Sequence, residues 1–345
     1  MLTTAITIMK DKILLGHGSG GRLMHELISD HFMKHFGNEL NQSMGDSTLL
    51  PRVAERLAIT TDSFVVDPIF FPGGDIGKLA VCGTVNDLAV SGATPRYLTA
   101  GFIIEEGFPV SDLEKILGSM DNEVRSAGIQ IVAGDTKVVN RGKCDKIFIN
   151  TTGVGTVREK FQEIGSGKLI RAGDMILVSG TLGDHGMAIM ACRESLNFKA
   201  GIVSDCASLN GLTEALLTGC EGIKFMRDPT RGGLASVLCE VCEKREWGIE
   251  LDEDKIPVDA AVRGLCEVLG FDPVYVANEG KLVLIVEGSH AGRALDIFRH
   301  HPLGQHAGMI GRVTGEHQGK ILMNTEIGGR RIVDMLAGEQ LPRIC

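Results

Sequence analysis

Four aspartates stand beside small residues near apolar runs: Asp46 in MGDST, Asp62 in TTDSF, Asp87 in TVNDLA and Asp135 in AGDTK. Magnesium prefers oxygen ligands, keeps part of its water, and commonly joins one or two carboxylates to substrate phosphates. Four such aspartates suit that task. Asp is also a frequent cap and turn residue, which accounts readily for Asp46 and Asp135. It accounts poorly for Asp87, which falls inside a helical apolar pattern. Two further charges admit either a catalytic role or an exposed turn: Lys137, two residues after Asp135, and Glu279, within Asn278-Glu279-Gly280. The chain ends in GEQLPRIC, so its last residue, Cys345, carries a thiol. Termini are usually the least ordered part of a domain, so this tail is not expected to hold a core together. Its cysteine is either a chance occurrence or a thiol on a tether.

Near the other end, GHGSGG matches G-x-G-x-x-G at Gly16, Gly18 and Gly21, after an apolar stretch and before a helical pattern. A dinucleotide fingerprint also needs a second strand ending in an acidic residue ~20 positions on. The segment there, GNELNQSMGDS, reads as a loop instead. The glycines suit either a backbone that approaches phosphate oxygens or a plain turn. Every Gly-Lys pair (Lys78, Lys143, Lys168, Lys281, Lys320) is followed by Leu, Ile or Cys. There is thus no Walker A loop, and any ATP must be held without one. Cys239 and Cys242 have CxxC spacing but no second pair or nearby histidines to complete a zinc site. Their neighbours Leu234, Val237, Leu238 and Val241 recur at helical spacing, which makes both cysteines ordinary helix residues.

The elements that must position these residues mix strands and helices, which predicts two α/β-type domains. A helix is expected over 20–36, with Leu23, Leu27, Ile28, Phe32 and Phe36 on one stripe. Strands are expected over 57–66 and 97–104, and a helix over 75–92 that stops at Gly92. Ser111 and Glu114 have the spacing of a capping box before a helix ending at Gly128. The strand IQIVAG, a polar loop GDTKVV and the strand KIFINTTGVGTV follow. The short polar stretch 158–174 reads as the domain boundary. Beyond it come the strand MILVSG, a helix after Gly183, a helix around 233–245, and two strands joined through Asn278-Glu279-Gly280. Two more strand-like segments lie near 307–314 and 320–325. The expected division is a glycine-loop segment 1–45, an N-terminal domain 46–157, a C-terminal domain 170–334 and a flexible tail 335–345 carrying Cys345.

With 345 residues, 43% of them hydrophobic and 5% aromatic, and 45 glycines, the composition is that of a soluble protein with aliphatic cores and many turns. The net charge of −9 comes without a basic run or face, which argues against nucleic-acid and membrane surfaces. Lys10, Asp11 and Lys12 interrupt the N-terminal apolar stretch, so no signal peptide is read. No uncharged run approaches the ~18 residues of a membrane span. Nine cysteines, an odd number, fit a reducing cytoplasm better than a disulfide framework.

The blocks HGSGGRLMHELI, TTDSFVVDPIFFPGGDIGKLAVCGTVNDLAVSGA, GFIIEEGFP, AGDTKVV, RDPTRGGLA, YVANEGKL and PRIC together resemble the HypE family, the carbamoyl dehydratases of NiFe-hydrogenase maturation. The likeness runs from about Lys12 to Cys345. The wider group includes aminoimidazole ribonucleotide synthetase, thiamine-monophosphate kinase and selenophosphate synthetase, which use ATP and Mg²⁺ without a P-loop. The resemblance implies a two-domain PurM-like α/β (α+β) fold, with an N-terminal sheet that pairs across a homodimer. It implies that a partner, HypF, places a carbamoyl group on Cys345. ATP then phosphorylates the carbamoyl oxygen, loss of phosphate leaves a thiocyanate, and the cyano group passes to iron on a HypC–HypD scaffold.

The family pattern assigns Asp46, Asp62, Asp87 and Asp135 to ATP and Mg²⁺, with Gly18, Gly20, Gly21 and Asn86 also at the nucleotide, and the loop Gly18–Arg22 closing over it. Lys137 and Glu279 fall where the family has its catalytic Lys and Glu. Glu279 is expected to act as base for the carbamoyl nitrogen and Lys137 to stabilise charge on oxygen, a division of roles that the resemblance leaves open. Arg343 is expected to offset the terminal carboxylate beside the thiol. MGDST departs from the family's more usual acidic-Asp-Ala-Ala run but retains Asp46. Arg227, Asp228 and Arg231 match a family motif to which no role is assigned. Eight extended tail residues span roughly 26–29 Å, enough for one arm to visit an internal site and an external partner. Three rivals remain: a selenophosphate-synthetase-like enzyme, which needs a Cys beside the glycine loop that LLGHGSGGRL lacks; a carrier without ATP chemistry; and a dinucleotide oxidoreductase.

Overall fold

The structure, a computed structural model, describes residues 11–19, 21–42, 47–193, 201–336, 341 and 343–345. The N-terminal region contains α1 (Arg22–Leu27), α2 (Met33–Phe36), β1 (Arg56–Phe64), β2 (Phe70–Phe71), β3 (Gly74–Asp75), α3 (Ile76–Val90), β4 (Ala93–Glu105), α4 (Val110–Ala127), β5 (Gln130–Val139) and β6 (Ile147–Val157). A π-helical turn, Ile28–Phe32, joins α1 to α2, so the helix expected over 20–36 forms in three pieces. Four strands make a sheet in the order β1-β6-β4-β5, antiparallel except for the β4–β5 pair.

Helix α3 is apolar on nearly every side and lies at the centre of the N-terminal core. It begins at Asp75, whose carboxylate accepts the backbone N–H groups of Gly77 (2.8 Å) and Lys78 (3.0 Å), a charged N-cap. It packs on one face of the sheet together with α4, which turns Leu113, Ile116, Leu117 and Met120 inward. The opposite face carries no helix among the described residues; Leu57 (65% exposed) and Ile59 (75%) stand there open.

The C-terminal region contains β7 (Met175–Val178), α5 (Asp184–Arg193), α6 (Asn210–Gly219), β8 (Ile223–Arg227), α7 (Gly233–Cys242), β9 (Gly248–Asp252), α8 (Ala260–Leu269), β10 (Val283–Val286), α9 (Ala291–His300), β11 (Gly308–Thr314), β12 (Ile321–Asn324) and β13 (Arg330–Val333). Seven strands order as β13-β12-β9-β11-β7-β10-β8. Its core splits across the two faces of this sheet. The architecture is therefore mixed α/β, as expected, with a small two-stranded sheet, β2-β3, beside the two large ones. Cys239 and Cys242 sit on α7 as free thiols turned toward backbone carbonyls, as helix residues should.

Four local expectations are corrected. GDTKVV is not a loop: β5 runs unbroken through it, so Asp135 and Lys137 share one face of a strand. Ser111 and Glu114 form no capping box, because α4 starts after Pro109 without a side-chain cap. Glu114 instead meets His31, Lys34 and His35 of the first helical segment, which together hold its carboxyl down at about 2. Asn278-Glu279-Gly280 is no hairpin turn; only β10 forms, and 276–281 is irregular chain that bends at 276, 279 and 280. Finally, the tail does join a core. Ile344 is 3% exposed and packs in the N-terminal cluster, with Leu341 and Cys345 against it.

Candidate functional site

The tail is held by its backbone. Val65 N–H donates to Cys345 O (3.2 Å), Asp67 N–H to Arg343 O (3.3 Å), and the His185 Nε2 to Ile344 O (2.9 Å). His185 is buried, and burial lowers its pKa, which favours the neutral ring; Nε2–H then donates and Nδ1 accepts from the Ser204 hydroxyl (2.8 Å). Arg343 bonds Val65 O (3.1 Å) and Asp145 (2.5 Å). It is thus committed away from the thiol, against expectation. The guanidinium near the sulfur belongs to Arg231, with Nη1 at 3.8 Å from Cys345 Sγ.

Cys345 faces a cavity of about 270 Å³ that Asp62, Asp87, Asp228, Arg231 and Glu279 also line. Each arrives from a different element. Asp62 comes from β1, on the face turned to α3, since it sits opposite Thr151 and the Thr151 hydroxyl donates to Ala80 O (3.0 Å). Asp87 comes from α3 and accepts from the Thr60 hydroxyl at 2.7 Å. Asp228 and Arg231 lie on the loop between β8 and α7. Glu279 comes from the chain leading into β10.

That chain is tightly clamped. Asp205 accepts the N–H groups of Glu279 (3.2 Å) and Gly280 (3.0 Å), and Lys281 bridges Asp205 (3.3 Å) and Asp184 (3.2 Å). A Cβ at position 280 would lie 1.9 Å from Asp205 O, so only glycine fits. Asn278 donates to Pro229 O and Val276 O and accepts from Gly183 N–H (2.7 Å). From the N-terminal domain Asn86 reaches the carbonyls of Glu279 (3.2 Å) and Ala207 (3.1 Å) and accepts Leu209 N–H (2.7 Å). In this chain the Asn86 amide therefore holds Glu279 by its backbone.

Crowded, partly desolvated carboxylates resist ionisation. Burial, then Asp228, Asp205 and Asp62, pushes Glu279 well above its ordinary range, and its Oε1 has no hydrogen-bond partner among the described residues. Burial and then Asp87 raise Asp228 to about 7 and Asp62 to about 6. Burial, followed by Glu279, pushes the Cys345 thiol up to about 12, and Arg231 pulls it the other way. The neighbouring Asp62 and Asp87 carboxylates offer the hard oxygen ligands that a divalent cation such as Mg²⁺ takes together with water and phosphate.

The remaining candidates lie elsewhere on the chain. Asp62 pairs across the sheet with Thr151, Ala100 and Gly134 in turn. Asp135, next to Gly134, is therefore three strand spacings away, roughly 14 Å, and on the open face. Lys137 stands beside it, its Nζ on Asp135 Oδ1 at 2.9 Å, which lowers the Asp135 pKa. The glycine loop packs here too: a Cβ on Gly18 would lie 2.4 Å from Val138 N, so the loop hugs β5. Gly21 precedes α1. Gly20 and Asp46 lie outside the described residues. One chain thus carries two separate groups: Asp62, Asn86, Asp87, Glu279 and Cys345 at the domain junction, and Gly18, Gly21, Asp135 and Lys137 at the far sheet edge. Sequence reading gave no role to Asp205, Asp184 or Lys281: the two aspartates carry no motif, and Lys281 lies unremarked within YVANEGKL. It singled out Asp228 and Arg231 without a role.

A two-domain chain with this junction belongs to the AIR synthase related proteins: the model of their N-terminal domain matches residues 45–157 and that of their C-terminal domain residues 171–324. Within that class the chain belongs to the carbamoyl dehydratase HypE family. It is 52% identical over 332 residues to the carbamoyl dehydratase HypE of Bradyrhizobium diazoefficiens, covering 96% of this chain and 95% of that one. A crystal structure of hydrogenase maturation protein HypE in complex with ATP superposes with a TM-score of 0.92 at 49% identity, covering 96% of this chain and 99% of the other. HypE in a HypE–HypF complex is similar at TM-score 0.78 and 50% identity, covering 92% and 100%.

Proposed function

We propose that this protein dehydrates an S-carbamoyl group on Cys345 to a thiocyanate at the expense of ATP, supplying the cyanide ligand of a NiFe-hydrogenase iron centre. The observation that carries this reading is the seating of the last residue's sulfur in the same cavity as Glu279, Asp62 and Asp87. An amide oxygen is a poor leaving group and phosphate a good one, so the oxygen must be phosphorylated before it departs. The sulfur keeps the carbon attached between steps.

Asp62 and Asp87, with Asp46, would hold Mg²⁺; the ion would neutralise phosphate charge. Glu279 takes a proton from the carbamoyl nitrogen, its backbone fixed by Asp205 and Asn86. A docked thiol pushed to about 12 is a poor nucleophile. Carbamoyl loading therefore belongs to the undocked tail, where a HypF-type carbamoyltransferase reaches it, and a HypC–HypD scaffold receives the cyano group later. We assign the completed site to a homodimer. The open face bearing Leu57, Ile59, Asp135 and Lys137 packs on a second copy, so that Asp135, Lys137 and the glycine loop of one chain serve the Cys345 cavity of the other. No helix of the described residues is long and apolar enough to cross a membrane, and we place the protein in the cytoplasm.

The test is intact-mass spectrometry of the C-terminal peptide with HypF, carbamoyl phosphate and ATP. Wild type should gain a carbamoyl group and then lose one water. Cys345→Ala should gain nothing. Glu279→Gln should load but retain the carbamoyl group. ATP-independent delivery with no loss of water would identify a carrier instead.

A further inference from the structure

The loop between β8 and α7, read as RDPTRGG, holds charges that the reaction above leaves idle. Arg227 is committed to Glu240 at 3.0 Å. Asp228 is buried beside Asp87 and Asp62. Arg231 differs from both. It stands exposed at the mouth of the cavity, and among the described residues its guanidinium hydrogen-bonds only to Cys345 Sγ, at 3.8 Å.

Among the described residues of the same chain, the other cations near the cavity are engaged by carboxylates, and Lys137 would come to it only from a second copy. Lys281 lies between Asp184 and Asp205, Arg343 is on Asp145, and Lys137 is on Asp135 across the sheet. The backbone carrying Arg231 is also fixed relative to Glu279. Gly233 lies against the carbonyls of Val274 and Val276, where a Cβ would come within 2.6 Å of each. Asn278 ties its own N–H to Pro229 O at 3.0 Å. The guanidinium and the Glu279 carboxyl therefore converge on the sulfur from loops that cannot drift apart.

We propose that Arg231 is a catalytic residue of the dehydration, its guanidinium binding the carbamoyl oxygen and carrying the charge that develops on it. This rests on the carbamoyl reading of Cys345. The carbamoyl oxygen is two bonds from the sulfur, so a donor fork at Sγ reaches it. Arginine keeps its charge at any working pH and offers planar paired donors that match phosphate oxygens.

In the first step the carbamoyl oxygen bonds to the γ-phosphorus, the bond from that phosphorus to the β-bridging oxygen breaks, ADP leaves, and one nitrogen proton passes to the Glu279 carboxylate. The product is S–C(=NH)–O–PO₃²⁻. In the second step the C–O bond breaks, the remaining nitrogen proton ends on the departing phosphate, and S–C≡N remains. Loss of the nitrogen proton shifts negative charge onto the oxygen that Arg231 faces, and C–O cleavage later leaves charge on the same oxygen as phosphate departs. A guanidinium at a cavity also lined by Asp62, Asp87, Asp228 and Glu279, with Arg227 held on Glu240, is an electrostatic stabiliser of the kind whose removal costs about 10²–10³-fold in rate.

The experiment follows the C-terminal peptide of Arg231→Met, Arg231→Lys and wild type by intact mass, with HypF, carbamoyl phosphate and ATP. Both variants should load the carbamoyl group as wild type does. Nitrile formation should then slow about 10²-fold or more in Arg231→Met and less in Arg231→Lys. A further variant, Arg231→Ala, should be slowed like Arg231→Met and be partly restored by guanidinium ion at millimolar concentration. Nitrile formation at the wild-type rate in Arg231→Met, or loss of loading itself, would overturn the role. Should Arg231→Met not fold, an undiminished rate in folded Arg231→Lys, judged by circular dichroism, overturns it equally. A wild type that never gains a carbamoyl mass on Cys345 defeats the proposed function instead, which keeps the two failures apart.

Discussion

Asp228 shows most plainly what the cavity costs the fold. A carboxyl group raised by burial from its ordinary 3.8 to about 7 destabilises the folded state once ionised. The sign follows from linkage: the penalty is absent below the unfolded pKa near 4 and grows as pH rises toward 7, above which it is complete. Asp228→Asn should therefore raise the thermal midpoint, more at pH 8 than at pH 4, by the equivalent of about 1–3 kcal/mol at pH 8. Thermal denaturation at the two pH values reads this directly. An equal gain at both would mean that the raised pKa is not the source. Glu279, raised for the same reason with an unpartnered oxygen, is a second case of stability forgone at a site.

At the scale of one element, the tail is balanced between two states. Burying Ile344 contributes about 1.5–3 kcal/mol, and the carbonyls of residues 343, 344 and 345 all find donors. Ordering each residue's backbone costs about 1–2 kcal/mol in entropy, so docking is readily reversed. Two handles follow. Removing the Arg343 bonds to Val65 and Asp145 with Arg343→Ala should release the tail. Iodoacetamide should then alkylate Cys345 about 10-fold faster at pH 8, as read on the C-terminal peptide. Docking raises the thiol from an ordinary 9.0 to about 12. The docked state is accordingly fully favoured below pH 9 and loses ground as pH rises toward 12. A carbamoylated sulfur has no proton to lose, so its docking should not vary over that range.

At the scale of the whole molecule, the two groups of candidate residues lie toward opposite edges of one sheet, with Asp135 and Lys137 on the face away from α3. No motion of the tail closes that gap, because Lys137 and Glu279 are both fixed to rigid elements. The proposed second copy against the open face would close it, and the exposed Leu57 and Ile59 there are the kind of apolar surface that marks an interface. Ile59→Lys should give a monomer by light scattering that keeps its circular dichroism but loses thiocyanate formation. A variant that stays dimeric would move the interface elsewhere; a monomer with full activity would place a complete site within one chain.

Much of this was legible in the sequence because it is local. The apolar run 75–92 could only be a buried helix, Gly92 and Gly128 ended their helices in the left-handed conformation expected of them, and the alternation in 57–66 made a strand. Asp87 stood out as a charge inside an apolar pattern, and the absence of a P-loop needed only the residues after each Gly-Lys. Partnerships over long separations were not legible. Glu114 had the right spacing for a cap, yet it meets His31 and His35, which approach from a helical segment 79 to 83 residues away. Asp205 holds the backbone of Glu279 from 74 residues away without any local pattern to announce it. Arg343 was the nearer cation in sequence, but Arg231, 114 residues from Cys345, is the one beside the sulfur. Local pattern decides periodicity and turns; which charges converge in a low-dielectric cavity depends on how β1, α3 and the loops before α7 and β10 pack, and only the tertiary structure sets that.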